Sequence, residues 1–127
     1  MRLLLDTHVF LWMMAGENLS PTARQVILDA DNDLYLSAAS YWEICIKLSL
    51  GKLQLAPQWV QVFEDEMKVN RILWLPVERV HCRNMLALPH IHGDPFDRLL
   101  IAQAQSENMT LVTADQSLRN YDVAATW

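Results

Sequence analysis

Three observations predict an α/β domain with a mainly parallel sheet covered by helices on both faces. Short runs are wholly apolar rather than alternating, helix-length segments separate them, and caps and stops punctuate the intervals. Leu3 to Leu5 is the first run, and it ends at Asp6, as expected of a buried parallel strand opening onto a polar edge. Thr7 stands where it can cap a helix from His8 to Ala15, and Gly16 stops that helix. Ser20-Pro21 supplies an N-cap and a first-position proline for a helix reaching about Ala30. Leu34 to Ser37 reads as the second strand, and Ala39 to Leu50 has helical spacing that ends at Gly51. Pro57 begins a helix through about Val69, Ile72 to Leu75 is a strand closed by Pro76, and Arg79 to Leu88 is a helix closed by Pro89. Pro95 opens an apolar-rich helix to about Ser106, Met109 to Thr113 is the next strand, and Val123 to Ala125 is a last short one.

The 127 residues suit one domain, 1–127, with one buried core. Apolar residues make up 52% and charged residues 20%, the balance of a packed chain rather than a disordered one. No apolar stretch approaches the roughly 18 residues of a membrane span. Asp6 interrupts the N-terminus before a signal peptide could form, so a cytoplasmic protein is expected. Cys45 and Cys82 form neither a disulfide framework nor a CxxC pair, and both are expected to be buried thiols. The formal charge of −5 argues against a general basic nucleic-acid footprint. It leaves a local site open, because acids clustered around divalent cations reverse their own field when the ion binds.

Ligands of an open parallel sheet bind beyond the carboxyl ends of the strands, where the N-termini of the returning helices also lie. Asp6 directly follows the first strand, and Asp115 lies two residues past Thr113. Glu43 falls in an early turn of the helix after the second strand, and Asp97 falls in the first turn of the helix that Pro95 opens. Four acids from four segments therefore belong to one rim, where their mutual repulsion calls for neutralisation. Hard divalent cations with oxygen ligands do this, and Mg²⁺ or Mn²⁺ needs few protein carboxylates because water and substrate phosphate complete the shell.

Four blocks carry a family resemblance: LLLDTHVFLW at 3–12, SAASYWEICIKLSLGKL at 37–53, HGDPFDRLLIAQA at 92–104 and TLVTADQSL at 110–118. In this order they resemble the PIN-domain family, and most closely its VapC-type toxin ribonucleases, over nearly the whole chain. The resemblance implies a three-layer α/β/α fold and metal-binding carboxylates at Asp6, Glu43 and Asp97, with Asp115 as a fourth acid. It also implies endoribonuclease activity on RNA, a cognate antitoxin that restrains it, and a homodimer. The apolar surface for an antitoxin helix is expected around Trp12, Trp59 and Phe63.

Other readings stand beside these. With a helix starting at Pro95, Asp94 becomes the N-cap and Asp97 the third-position acid, so Asp97 is expected as the ligand and Asp94 as a cap holding the loop near the site. Glu43 also has the spacing of a simple i,i+4 pair with Lys47. Thr113 is either a strand residue or a hydroxyl at the mouth. Lys47 and Arg98 either orient carboxylates and meet RNA phosphates, or are ordinary surface charges. The tryptophans are scattered, as core or interface residues are. His90-Ile91-His92-Gly93-Asp94 has the HxHxD form of two-zinc hydrolases, but no histidine follows His92 to complete such a site. An aspartyl-phosphate enzyme using Asp6 lacks its late-strand lysine. A different metal-dependent phosphohydrolase and a catalytically silent binding module of the same fold complete the alternatives.

Overall fold

The computed structural model describes residues 1–127, and its five strands form one sheet in the order β3-β2-β1-β4-β5 with every pair parallel. The strands are β1 (Arg2–Leu5), β2 (Asp33–Ser37), β3 (Ile72–Leu75), β4 (Thr110–Val112) and β5 (Ala125–Thr126). Six helices connect them: α1 (Thr7–Ala15), α2 (Pro21–Leu28), α3 (Ala38–Ser49), α4 (Trp59–Val69), α5 (Arg79–Met85) and α6 (Pro95–Glu107).

Side chains alternate across a strand, and β1 shows how this builds two cores. Leu3 and Leu5 face one layer, with Val9 and Phe10 of α1, Ala23 and Ile27 of α2, Ile44 of α3 and Phe63 of α4. Leu4 faces the other, with Leu100, Ile101 and Ala104 of α6, Leu88 after α5, and Leu111 of β4. Both faces are thus covered, which gives the three-layer α/β/α arrangement and explains why the strands read as unbroken apolar runs.

Several boundaries differ from the sequence expectations. Asp6, not Thr7, occupies the N-cap position of α1, and the Thr7 hydroxyl instead donates to Ser40 Oγ at 2.9 Å, tying α1 to α3. Gly16 ends α1 as expected, at φ 72°, a left-handed conformation that glycine adopts without a Cβ clash. Helix α2 stops at Leu28 because Asp29 turns extended, and α4 starts at Trp59 after a turn closed by Trp59 N–H donating to the Ala56 carbonyl. Helix α5 ends at Met85, and Leu86 to Leu88 continue only as turns. Strand β4 is trimmed to Thr110–Val112, and β5 is shifted to Ala125–Thr126. Cys45 and Cys82 are exposed, contrary to the expectation of burial, because each lies on the outward face of its helix. Trp42 and Trp74 are likewise exposed, whereas Trp12 and Trp59 pack at the edge of the first core.

Candidate active site

The chain crosses from β3 back over the sheet to β4 on the far side of β1, so the strand order reverses between β1 and β4. At such a switch point the loops after neighbouring strands diverge and leave a crevice. Asp6 follows β1 and Thr113 follows β4, and they meet there: Thr113 Oγ1 donates to Asp6 Oδ2 at 2.6 Å. Both residues are buried. Burial pushes the Asp6 carboxyl above its usual range against the pull of the Thr113 bond, and Glu43 adds to the rise. Asp6 makes no side-chain cap to its own helix, so its carboxylate is committed to the crevice.

Asp115 is tethered to the same point, its N–H donating to Thr113 Oγ1 at 3.1 Å. Its Oδ1 accepts from Ser117 N–H at 2.9 Å and Ser117 Oγ at 2.7 Å. These bonds hold the exposed Asp115 carboxyl below its ordinary range.

The other two acids arrive on helices. Ser37 caps α3 by accepting from Ala39 N–H at 3.0 Å, which sets Glu43 in the second turn with only 5% of its surface exposed. Lys47 Nζ lies 3.0 Å from Glu43 Oε2, and Glu43 Oε1 is buried with no hydrogen-bond partner. Asp94 caps α6, its Oδ1 accepting from Phe96 N–H at 2.9 Å and Asp97 N–H at 3.0 Å. Asp97 is thereby fixed in the first turn. Its carboxyl is pushed up to about 7, first by burial and then by the charges of Asp94, Asp6, Glu43 and Asp115. All four neighbours act on one group, so the four segments share one electrostatic site.

No three His, Cys, Asp or Glu side chains stand close enough to form a ready-made ion cage. The donor chemistry nevertheless fits a hard divalent cation: the oxygens belong to carboxylates, Glu43 Oε1 has no partner, and Asp97 resists ionising beside its neighbours. Asp6, Glu43 and Asp97 are the residues that would hold Mg²⁺ or Mn²⁺, with Asp115 at the mouth.

The supporting residues divide. Lys47 does orient a carboxylate, as the i,i+4 spacing allowed, but its partner is buried rather than on a solvated face. Arg98 is neither a surface charge nor part of the acid group. It is 8% exposed, and its guanidinium donates to the carbonyls of Pro89 at 2.8 Å and of Met85 and Leu88 at 3.4 Å, and to the Tyr121 hydroxyl at 3.2 Å. The turns after α5 need those donors, and Arg98 points there because successive helical side chains diverge by about 100°. The HxHxD segment is divided too: His90 is exposed, whereas His92 packs against Tyr121 and its Nε2 stands 3.4 Å from Asp97 Oδ2. Sequence reasoning passed over His92 as a neighbour of the acids. Its position two residues before the Asp94 cap was the available signal.

An apolar groove of about 470 Å³ lies beside the acids, lined by Leu11, Trp12, Leu53, Leu55 and Trp59, with Phe63 buried beneath as core. A smaller cavity is lined by Asp6, His8, Trp12, Ala114 and Asp115. His8 and Trp12 border both, so the groove opens onto the mouth of the site.

Compared with known proteins, residues 3–124 match the PIN domain family. The chain belongs to that family. Among curated relatives, this PIN domain is 32% identical over 123 residues to Ribonuclease VapC22 of Mycobacterium tuberculosis, covering 93% of this chain and 90% of that protein. Solved structures share its fold. VapBC2 of Rickettsia felis, bound to a DNA fragment from its promoter, superposes with a TM-score of 0.77 at 15% identity over 99% of this chain and 98% of that one. VapBC-1 of nontypeable Haemophilus influenzae gives a TM-score of 0.66 at 20% identity, covering 99% and 97%. FitAcB of Neisseria gonorrhoeae gives 0.61 at 22% identity, covering 98% and 96%. The similarity to VapC-type toxins therefore extends along the whole PIN domain. No helix is long and apolar enough to cross a membrane.

Proposed function

We propose that this PIN domain is a Mg²⁺- or Mn²⁺-dependent endoribonuclease acting as the toxin of a toxin-antitoxin pair. The observation that carries this reading is the electrostatic convergence on Asp97, whose carboxyl is raised to about 7 by burial and by Asp94, Asp6, Glu43 and Asp115 together. Such a group is costly to keep charged alone and favourable beside a cation. A bound ion would supply an activated water and would neutralise charge developing on the scissile phosphodiester.

The protein's own residues define the rest. Thr113 grips Asp6 through Oδ2 and leaves Oδ1 outside that bond. Lys47 grips Glu43 through Oε2 and leaves Oε1 without a partner. Asp94 anchors the turn that presents Asp97, and Ser117 keeps Asp115 ionised at the mouth. No side chain is placed as a covalent nucleophile in this reading, so hydrolysis should leave a 5′-phosphate and a 3′-hydroxyl.

Lys47 also gives an internal precedent for inhibition, since its ammonium sits on one of the proposed ligands. An antitoxin helix lying in the groove of Trp12 and Trp59 would reach the mouth past His8, and an Arg from it would compete for the same oxygens. Assembly as a homodimer belongs to the same reading. The test is to incubate the purified protein with mixed RNA with and without Mn²⁺, and to express wild type and Asp97→Asn in bacteria. Mn²⁺-dependent cleavage with 5′-phosphate ends and growth arrest by wild type alone are expected. Cyclic 2′,3′-phosphate ends would overturn the mechanism. If wild type proves as inert and as harmless as Asp97→Asn at equal soluble levels, the protein is a binding module instead.

A further inference from the structure

The hydrogen bonds around Tyr121 assign a role to His92, which lies outside the carboxylate set. Tyr121 is 4% exposed, and its hydroxyl oxygen accepts from two N–H donors, Arg98 Nη1 at 3.2 Å and the His92 backbone at 3.3 Å. Two such bonds occupy both lone pairs of a phenol oxygen. The hydroxyl proton is left for the 2.7 Å contact with His92 Nδ1, so Tyr121 donates and Nδ1 accepts. A neutral imidazole whose Nδ1 accepts carries its proton on Nε2. That Nε2 is buried, makes no hydrogen bond, and stands 3.4 Å from Asp97 Oδ2. Arg98 anchors the chain, since its Nη1 and Nη2 also donate to the carbonyls of Met85, Leu88 and Pro89. The result is a relay, Arg98 to Tyr121 to His92, that ends in an Nε2–H standing 3.4 Å from Asp97 Oδ2.

We propose that His92 is a positioning residue for RNA hydrolysis: Tyr121 fixes its tautomer, and its Nε2–H steers Asp97 through Oδ2 so that Oδ1 is left for the ion. The inference rests on the reading of Asp97 as an ion ligand. Outer partners of this kind orient ligating carboxylates and shape their affinity. A separation of 3.4 Å is long for a formed hydrogen bond, as is common in sites that tighten only when loaded.

Histidine ¹⁵N NMR of the metal-free wild type tests the tautomer without any substitution, and Mn²⁺ calorimetry tests the consequence. His92 should carry its proton on Nε2 with Nδ1 bare, and Tyr121→Phe should abolish that single-tautomer signature. His92→Leu should weaken Mn²⁺ binding by roughly ten- to a hundredfold, whereas His92→Gln, which restores an N–H near the Nε2 position, should retain most of it. A proton on Nδ1 in wild type, or equal Mn²⁺ affinity in wild type and His92→Leu, would overturn the proposal while leaving the ribonuclease reading intact. If wild type neither binds Mn²⁺ nor cleaves RNA, the reading of the site fails and the role of His92 falls with it.

Discussion

Asp97 and Arg98 are adjacent in sequence, largely buried and oppositely charged, yet their surroundings differ completely. Arg98 donates to three backbone carbonyls and one hydroxyl through its two terminal nitrogens, which hold the turns after α5 against α6. Asp97 has no formed side-chain hydrogen bond, and burial together with the charges of four other acids pushes its carboxyl to about 7. A buried charge met by surrounding acceptors does structural work. A buried charge left in conflict marks a place where something else binds.

The contrast can be broken most sharply by exchanging function for stability. Asp97→Asn should lower Mn²⁺-dependent RNA cleavage by at least about a hundredfold, measured as single-turnover rate at saturating Mn²⁺. Arg98→Met should instead destabilise the fold by about 3 kcal/mol in urea unfolding, because four acceptors lose their donors in a buried place. Cleavage per folded molecule should fall far less than in Asp97→Asn.

Asp97 should also reveal itself in stability against pH. Its folded carboxyl titrates near 7 against an ordinary value of 3.8, so protonation favours the folded state. That stabilisation is fully present below about pH 4 and is lost as pH rises through 7. Metal-free Asp97→Asn should therefore be more stable than wild type by about 1 to 3 kcal/mol at pH 8, within the ceiling of about 4 kcal/mol that such a shift implies. The gain should vanish by pH 4, as thermal unfolding at the two pH values would reveal. The smallest effect is expected at Lys47, which leaves Glu43 without its only cation. Lys47→Met should cost the metal-free protein about 1 kcal/mol, and saturating Mn²⁺ should narrow that difference in melting temperature.

Much of this architecture was legible in the chain because its signals are local. Apolar runs such as Leu3 to Leu5 have no other stable home than a doubly covered sheet, and Ser20-Pro21 and Asp94-Pro95 cap helices by chemistry confined to a few residues. The rim of acids was legible because strand ends and helix starts coincide at one edge of a parallel sheet. What stayed hidden depends on direction and distant packing. Nothing in the spacing of Asp97 and Arg98 tells which one faces the acids, since that follows from where the turns after α5 settle. The exposure of Cys45 and Cys82 likewise depends on which helix face meets the sheet. The HxHxD segment suggested metal ligands, yet its second histidine owes its environment to Tyr121, 29 positions away.

The central claim is that an ion replaces the proton and relieves the conflict at Asp97. Calorimetric titration of the metal-free protein with Mn²⁺, repeated in buffers of different ionisation enthalpy, tests it directly. Binding should release close to one proton per ion at about pH 6 and almost none at about pH 8.5, and Asp97→Asn should lose that release. Absence of Mn²⁺ binding, or binding with the same proton release in Asp97→Asn as in wild type, would contradict the account.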